Sequence, residues 1–367
     1  MKVIQIVIVF QVLVLFSHVN ATTLPGGWVV SWGYGEITTG ATHTFGLTRS
    51  LLATDGQVLS NAVAISTDGA HILALKSDGT VVPCGGNLWG EEVVPEGLSN
   101  VIAILAGGGN NLALKSDGKV VAWGRKNDGT HLPQDLTNVV ALGGTDFVLK
   151  GDGRPFAWGQ NNYSRDHQMF IPAGLSNVVA LCKNYGDGVA LRSDGTVAEW
   201  SFNGQIGVDR RPLEETNGEA ISWVERLVDF HVIEGLSNVT SVAAGRGHGL
   251  ALKRNGTVFG WGFNNAGQAT GIQTTNSPLD WGPYANDSGS SQGLVTIDGN
   301  IVTNVVAIAA GDSMSMALKS DGTVVTWGFI PFNAQKVPDG LSNVVAIADG
   351  CLAITTNSAV ADRFRQK

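Results

Sequence analysis

Apolar residues in this chain come in short runs of five or six, separated by Gly, Asp, Asn and Ser. The pattern is cleanest from Asn304 to Gly328. Val305–Ala309 is β-branched and small, Met316–Lys319 is apolar, and Thr323–Trp327 alternates before stopping at Trp327-Gly328. Runs this short, bounded by turn residues, predict strands rather than helices. Ser320-Asp321-Gly322-Thr323 predicts a tight two-residue hairpin turn, because Asp-Gly tolerates the positive φ angles such a turn needs. The first run is lined by Ala307, Ala309, Ala310 and Gly311. Side chains that small suit a strand converging with copies of itself near an axis.

The pattern recurs. Its Leu-x-Asn-Val start appears at Leu98, Leu136, Leu175, Leu236 and Leu341, with weaker copies at Leu59 and Val302. The turn recurs at Asp78-Gly79, Asp117-Gly118, Asp152-Gly153, Asp194-Gly195, Asn255-Gly256 and Asp321-Gly322. Each turn is followed by a stop: Cys84-Gly85, Trp123-Gly124, Trp158-Gly159, Trp200-Ser201, Trp261-Gly262 or Trp327-Gly328. The spacing of about 39 residues lies in the range of propeller blades.

There are seven starts but six finishes. The last start, Leu341 to Thr355, supplies two strands and no Trp-Gly, whereas Gly27-Trp28-Val29-Val30-Ser31-Trp32-Gly33 near the other end is a third strand without its first two. Joining them completes a seventh blade and removes the exposed sheet edges of an open array. Residues 40–58 faintly echo a second and third strand, so a degenerate eighth blade is the alternative.

The repeated L-S-N-V-V-A-I-A-A-G and A-L-K-S-D-G-T-V-V-x-W-G resemble the regulator of chromosome condensation repeat, in its short secreted bacterial form, over roughly residues 27 to 355. The resemblance implies an all-β fold, a seven-bladed β-propeller closed by the N-terminal strand on the C-terminal half-blade. It implies less about activity. The family includes a nuclear guanine-nucleotide exchange factor, ubiquitin-ligase modules and a secreted β-lactamase inhibitor, and a fold alone does not choose among them.

Residues 1–21 read as a secretory signal: Lys2, an apolar Val3–Phe16 and Val19-Asn20-Ala21 before a cleavage point. Residues 22–357 then form one propeller domain and residues 358–367 a polar tail, with no membrane span after cleavage. The expected location is secreted, periplasmic or cell-surface. A net charge of −8 and a pI near 5.3 argue against a nucleic-acid surface, which needs a basic stripe. Cys84, Cys182 and Cys351 form no disulfide framework and no C-x-x-C spacing; a Cys84–Cys351 bridge between the first blade and the closing blade beside it is the alternative to free thiols.

Three connectors are long: Tyr34–Leu59, Phe202–Leu236 and Phe263–Thr303. Their extra length is expected on the face of the Asp-Gly turns. Loops on a rigid scaffold commonly carry binding, and Arg210, Arg211, Trp223, Arg226, Trp281 and Tyr284 supply the aromatic and Arg content of interface anchors. The alternative site is the axial opening, where His71, Asn110, Thr145, Asp187 and His248 hold one register before the second strands. The repeated Asp residues are turn-formers. No three-His metal spacing, nucleophile elbow or phosphate loop is present, so neither a catalytic residue nor a metal or other cofactor is expected. The expected function is secreted, non-catalytic recognition of an extracellular or periplasmic protein. The alternatives are a carbohydrate-active enzyme or lectin-like glycan binder and, against the charge and the leader, guanine-nucleotide exchange.

Overall fold

The computed structural model describes residues 26–36, 45–54, 57–69, 71–85, 90–125, 132–134, 136–158, 171–183, 187–201, 230–273, 290–329 and 337–365. The expected leader lies outside them. The described chain forms seven antiparallel sheets of three or four strands and two small hairpins. Blade I is Ala62–Thr67, His71–Lys76 and Val81–Gly85, and blade II is Val101–Gly107, Asn110–Lys115 and Val120–Gly124. Blade III is Val139–Gly144, Phe147–Lys150 and Pro155–Ala157. Blades IV and V start at Val178–Lys183 and Val239–Ala244 and add short fourth strands, His231–Val232 and Ser290–Leu294. Blade VI is Val305–Ala310, Met314–Lys319 and Val324–Gly328. First strands pack on first strands in order from I to VII, and that of VII packs on that of I.

Blade VII joins the two ends of the chain. Val344–Ala348 and Leu352–Thr355 continue into Trp28–Glu36, with Trp28 opposite Thr355 and Ser31 opposite Leu352. Phe45–Leu51 adds a fourth strand, and Ala53–Thr54 pairs with Gln57–Val58 as a separate hairpin. Of the echo of a blade in residues 40–58, the described part is an edge strand of blade VII and a hairpin rather than two strands of an eighth blade.

One backbone device repeats at the Asp-Gly end. The Asn of each Leu-x-Asn-Val start, from Asn61 to Asn343, has a φ between 52° and 60°. Asn tolerates this left-handed conformation better than other non-glycine residues. It turns the chain so that the next amide reaches the preceding blade: Val178 N donates to Gly153 O at 3.0 Å, Val305 N to Gly256 O at 3.0 Å and Val344 N to Gly322 O at 3.1 Å. Between blades VII and I no Asp-Gly turn exists, and Gly27 takes its place. Ala62 N donates to Gly27 O at 3.0 Å and Gly27 N to Ala62 O at 2.9 Å. A side chain cannot enter there, because a Cβ on Gly27 would lie 2.5 Å from Thr355 O.

The residue after each paired start is bulged out of the ladder: Val63, Ile102, Val140, Val179, Thr240, Val306 and Val345. All seven are β-branched, which suits extended backbone, and a bulge adds twist to its strand.

The hairpin turns differ from the expected two-residue form. Gly79 N donates to Lys76 O and Lys76 N to Thr80 O, both at 2.9 Å, so the loop is Ser77-Asp78-Gly79 with the left-handed residue at Gly79 alone, φ 80°. That is a type I turn with a glycine bulge. Asp78 Oδ1 accepts the amide and hydroxyl of Thr80 at 2.9 and 2.6 Å, and the Thr hydroxyl bond is the main reason its carboxyl sits below the usual range. Asp194 and Asp321 repeat this arrangement.

The stop residues fill the gaps between blades. Trp158 lies with Leu105 and Leu112 of blade II, Trp200 with Phe147 and Leu149 of III, and Trp261 with Val189 and Leu191 of IV. Trp327 lies with Leu250 and Leu252 of blade V and Trp32 with Met314 and Met316 of VI. Trp123 is half-buried, and Cys84 fills the gap toward blade VII beside Ala348 and Leu352. Cys351 faces the other side of blade VII, its Sγ 3.7 Å from Met314 Sδ, so Cys84 and Cys351 are separate buried thiols. The expected polar tail is helical over Ser358–Arg365. Asn357 caps it by accepting from Ala359 N at 3.1 Å, and Val360 and Ala361 are buried in the blade VI–VII core.

Candidate functional site

The third strand of each blade runs from the Asp-Gly end toward its Trp-Gly stop, so the stops and the residues that open the second strands share the other end of the ring. His71 lies opposite Gly85, Asn110 opposite Gly124, Asp187 opposite Ser201 and His248 opposite Gly262. Thr145 sits in the blade III turn, its methyl 3.1 Å from where a Cβ on Gly107 would stand. The common register is as expected, but the two histidines do not line an opening: each is 2% exposed.

They tie blades together instead. His71 Nε2 lies 2.6 Å from Asn111 Oδ1 in blade II, and Asn111 Nδ2 donates to Glu91 O at 2.9 Å. Trp123 Nε1 donates to the same carbonyl at 2.9 Å. Blade VI repeats the arrangement. His248 Nε2 lies 3.0 Å from Ser315 Oγ, and Ser315 and Trp327 both donate to Gln268 O, at 2.8 and 2.9 Å. Because Ser315 spends its proton on that carbonyl, His248 Nε2 is the donor to Ser315. Burial pushes the His248 pKa down to about 4, so it is neutral. For His71 burial acts downward, but Asp68, 3.0 Å from Nδ1, together with Asn111 and Glu91 outweighs it and raises the pKa.

Charge gathers around these ties. Asp349 lies beside Gly311, and burial first, then Asp312 and Asp68, push its pKa up to about 8. Its buried Oδ1 has no hydrogen-bond partner among the described residues. On the opposite arc Lys183 of blade IV bonds Asp146 of blade III, and Arg246 of blade V donates its amide to Gly311 O at 3.2 Å. The end of the ring thus places carboxyl groups on blades VI, VII and I, that of Asp349 protonated, and basic side chains on IV and V, that of Lys183 paired with Asp146.

A second cluster lies where blades IV and V meet. Glu199 Oε2 accepts from Trp261 Nε1 at 3.2 Å and lies 3.5 Å from His231 Nε2. Burial, then Asp187, push Glu199 up to about 7, and burial lowers His231.

The long connectors were expected on the Asp-Gly face, and the register places their roots at the other end. Glu36 is opposite Phe45, Glu199 opposite His231 and Phe263 opposite Ser290, so each rejoins its blade at the Trp-Gly end. The reason is that each is followed by a fourth strand running back beside the third. Arg210, Arg211, Trp223, Arg226, Trp281 and Tyr284 lie outside the described residues. The structure brings Asp187 together with Glu199 and His231, and disperses Asn110, Thr145 and the two histidines over separate blades.

Glu199, Asn111, Ser315 and Asp349 escaped the sequence reading. Two had a signal. Glu199 is the one acid directly before a stop residue, and Asp349 stands where blades II, III, V and VI carry Ala106, Gly144, Ala244 and Ala310.

Comparison with known proteins agrees with this architecture. The family of the "Regulator of chromosome condensation (RCC1) repeat" matches residues 239–268 and 305–329. The chain carries this repeat at those residues, in blades V and VI of its ring. Over 162 residues it is 29% identical to the protein pim1 of Schizosaccharomyces pombe, covering 43% of this chain and 28% of that one. Over 155 residues it is 30% identical to a probable human E3 ubiquitin-protein ligase, HERC6, covering 40% and 12%. The chain therefore spans less than a third of these curated relatives. Among solved structures, Prp20p from Saccharomyces cerevisiae superposes with a TM-score of 0.61 at 20% identity, covering 94% of this chain and 95% of that one. At that identity the likeness concerns the fold.

Proposed function

We propose that this propeller is a secreted, non-catalytic recognition module that binds a protein at its Trp-Gly end. The observation that carries the reading is the convergence of all three long connectors on that end, around a rim whose charges differ from blade to blade. The opposite end offers little to read. Its Asp residues cap their own turns, and Lys76, Lys115 and Lys319 sit beside them. Prp20p, which shares the fold, has been described with binding to Gsp1p and histones, which supports a protein partner. The candidate contacts are Arg210, Arg211, Trp223, Arg226, Trp281 and Tyr284 on the connectors, with Asp187 and the Asp68–Asp312–Asp349 arc on the ring.

The test uses the chain without residues 1–21 as bait among extracellular proteins and glycans, followed by amine cross-linking and peptide mapping. Lys183 marks the Trp-Gly end, whereas Lys76, Lys115, Lys150, Lys253 and Lys319 end the second strands and mark the other. Cross-links to a bound protein at Lys183 support the reading. Cross-links confined to the five other lysines refute it, and capture of glycans alone favours a lectin-like role.

A further inference from the structure

The Glu199 cluster sits where a switch would have an effect. His231–Val232 is only two residues long and pairs with Ala198 and Glu199 alone. It is the outermost strand of blade IV. On one side Phe230 packs with the blade III–IV core near Gly174. On the other, Ile233 is 5% exposed between blades IV and V and donates its amide to Val197 O at 2.9 Å. His231 itself is half exposed, and its contact inward is the Glu199 carboxyl.

We propose that Glu199 and His231 form a proton-operated latch that holds the short strand His231–Val232 on the edge of blade IV when they share a proton and releases it when they do not. The parts fit that task. Glu199 lies between Trp261 of blade V and His231 of the short strand, with the Asp187 carboxylate on one side and the buried Cys182 thiol behind it. With one proton shared between Glu199 Oε2 and His231 Nε2, the pair adds no net charge to the gap, and Oε2 still accepts from Trp261 Nε1. After the proton leaves, a carboxylate remains buried beside Asp187, with only the Trp261 indole and the single N–H of a neutral His231 as donors. Buried charge is costly unless it is paired, so the strand carrying the imidazole is pushed outward and water enters. The carboxyl titrates near pH 7 because burial and Asp187 both disfavour its charged form. The range of operation is therefore about pH 6 to 8, with the latch closed at the lower value. That release alters partner binding rests on the function proposed above; the latch itself does not.

Amide hydrogen exchange on the free full-length protein at pH 6 and pH 8, corrected for intrinsic rates, reads the latch without a partner. The opening equilibrium of residues 230–233 should be about tenfold larger at pH 8. Protection of Leu250–Leu252 in the blade V core should be the same at both. In Glu199→Gln, which cannot ionise, residues 230–233 should keep their pH 6 protection at pH 8, and His231→Gln should expose them at both. Equal protection of the wild type at the two pH values overturns the latch, whatever the variants do. So does a pH difference that survives unchanged in folded Glu199→Gln. Failure to map a partner to the Trp-Gly end overturns the function and leaves the exchange result standing.

Discussion

Replacing Trp327 by Ala tests whether the stop residues hold the ring together. The indole is 5% exposed and lies in one cluster with Leu250, Leu252 and Val258 of blade V and Ile308 of its own blade. Truncation of a buried Trp to Ala costs about 3–5 kcal/mol through lost burial and the cavity left behind. Nε1 also donates to Gln268 O at 2.9 Å, but that carbonyl keeps the Ser315 hydroxyl at 2.8 Å. Losing one of two donors leaves no orphaned acceptor and adds about 1 kcal/mol. The expected total is about 4–6 kcal/mol, a large share of a typical domain's stability of about 5–15 kcal/mol. Trp327→Phe keeps most of the volume and forfeits the bond, so it should cost about 1–2 kcal/mol. Trp123→Ala, at a half-buried stop with a similar bond to Glu91 O, should fall between the two. Guanidinium titrations read by fluorescence and by circular dichroism give the midpoints, and agreement between the two probes checks that unfolding is cooperative. If Trp327→Ala lowered the midpoint no more than Trp327→Phe, the ring would not be filling the gap between blades. If Trp123→Ala matched Trp327→Ala, burial would not be what ranks the stops.

Deleting residues 22–33 should abolish cooperative melting, because it removes most of the strand that pairs with Leu352–Thr355. Gly27→Ala should lower the melting temperature by several degrees through its clash with Thr355 O, and an unchanged melt of either variant would refute closure through this strand. Asp349 is held protonated to about pH 8, whereas an unfolded Asp ionises near 3.8, so stability falls as pH rises between these values. Asp349→Asn should therefore stabilise the protein at pH 8, with the gain vanishing toward pH 4 in parallel thermal melts. His248 works in the opposite direction. Its pKa is depressed from 6.5 to about 4, so its contribution is complete above 6.5 and about 3 kcal/mol is lost as pH falls to 4. A folded His248→Gln whose acid limb is as steep as the wild type's would sink that assignment.

The architecture was legible because the repeats report on one another. A single Asp-Gly is an ordinary turn signal, but five Asp-Gly turns and one Asn-Gly, five of the six at the same offset of 19 residues from a start, define a blade and expose the half-blade at each end. Detail that depends on a single hydrogen bond was not legible. The turns were expected to have two residues, and Lys76 N to Thr80 O makes them three. The direction of the long connectors was misread because the fourth strands, two residues long in blade IV, carry almost no pattern. His231–Val232 is indistinguishable from loop until Glu199 is seen opposite it. The axial histidines had the right register, but burial is decided by what the neighbouring blade supplies. Here that is Asn111 and Ser315, second-strand residues 40 and 67 positions away.

The same contrast bears on where recognition resides. Positions that build the ring must be alike in every blade, because each blade meets the same neighbour: the left-handed Asn, the bulged β-branched residue, the Gly of the turn and the indole in the gap. A surface made of such positions looks the same from six or seven directions and cannot orient a partner. The Asp-Gly end is of this kind, with Asp78, Asp194 and Asp321 each spent on its own Thr. At the Trp-Gly end the ends of the first strands and the turns after them carry Asp312, Asp349 and Asp68 on blades VI, VII and I but Lys183 and Arg246 on blades IV and V, so this end is not the same all round. Specificity is a difference in affinity, and it requires a surface whose features differ from place to place. The departures from the repeat, which add nothing to closing the ring, are collected on the end to which all three long connectors return.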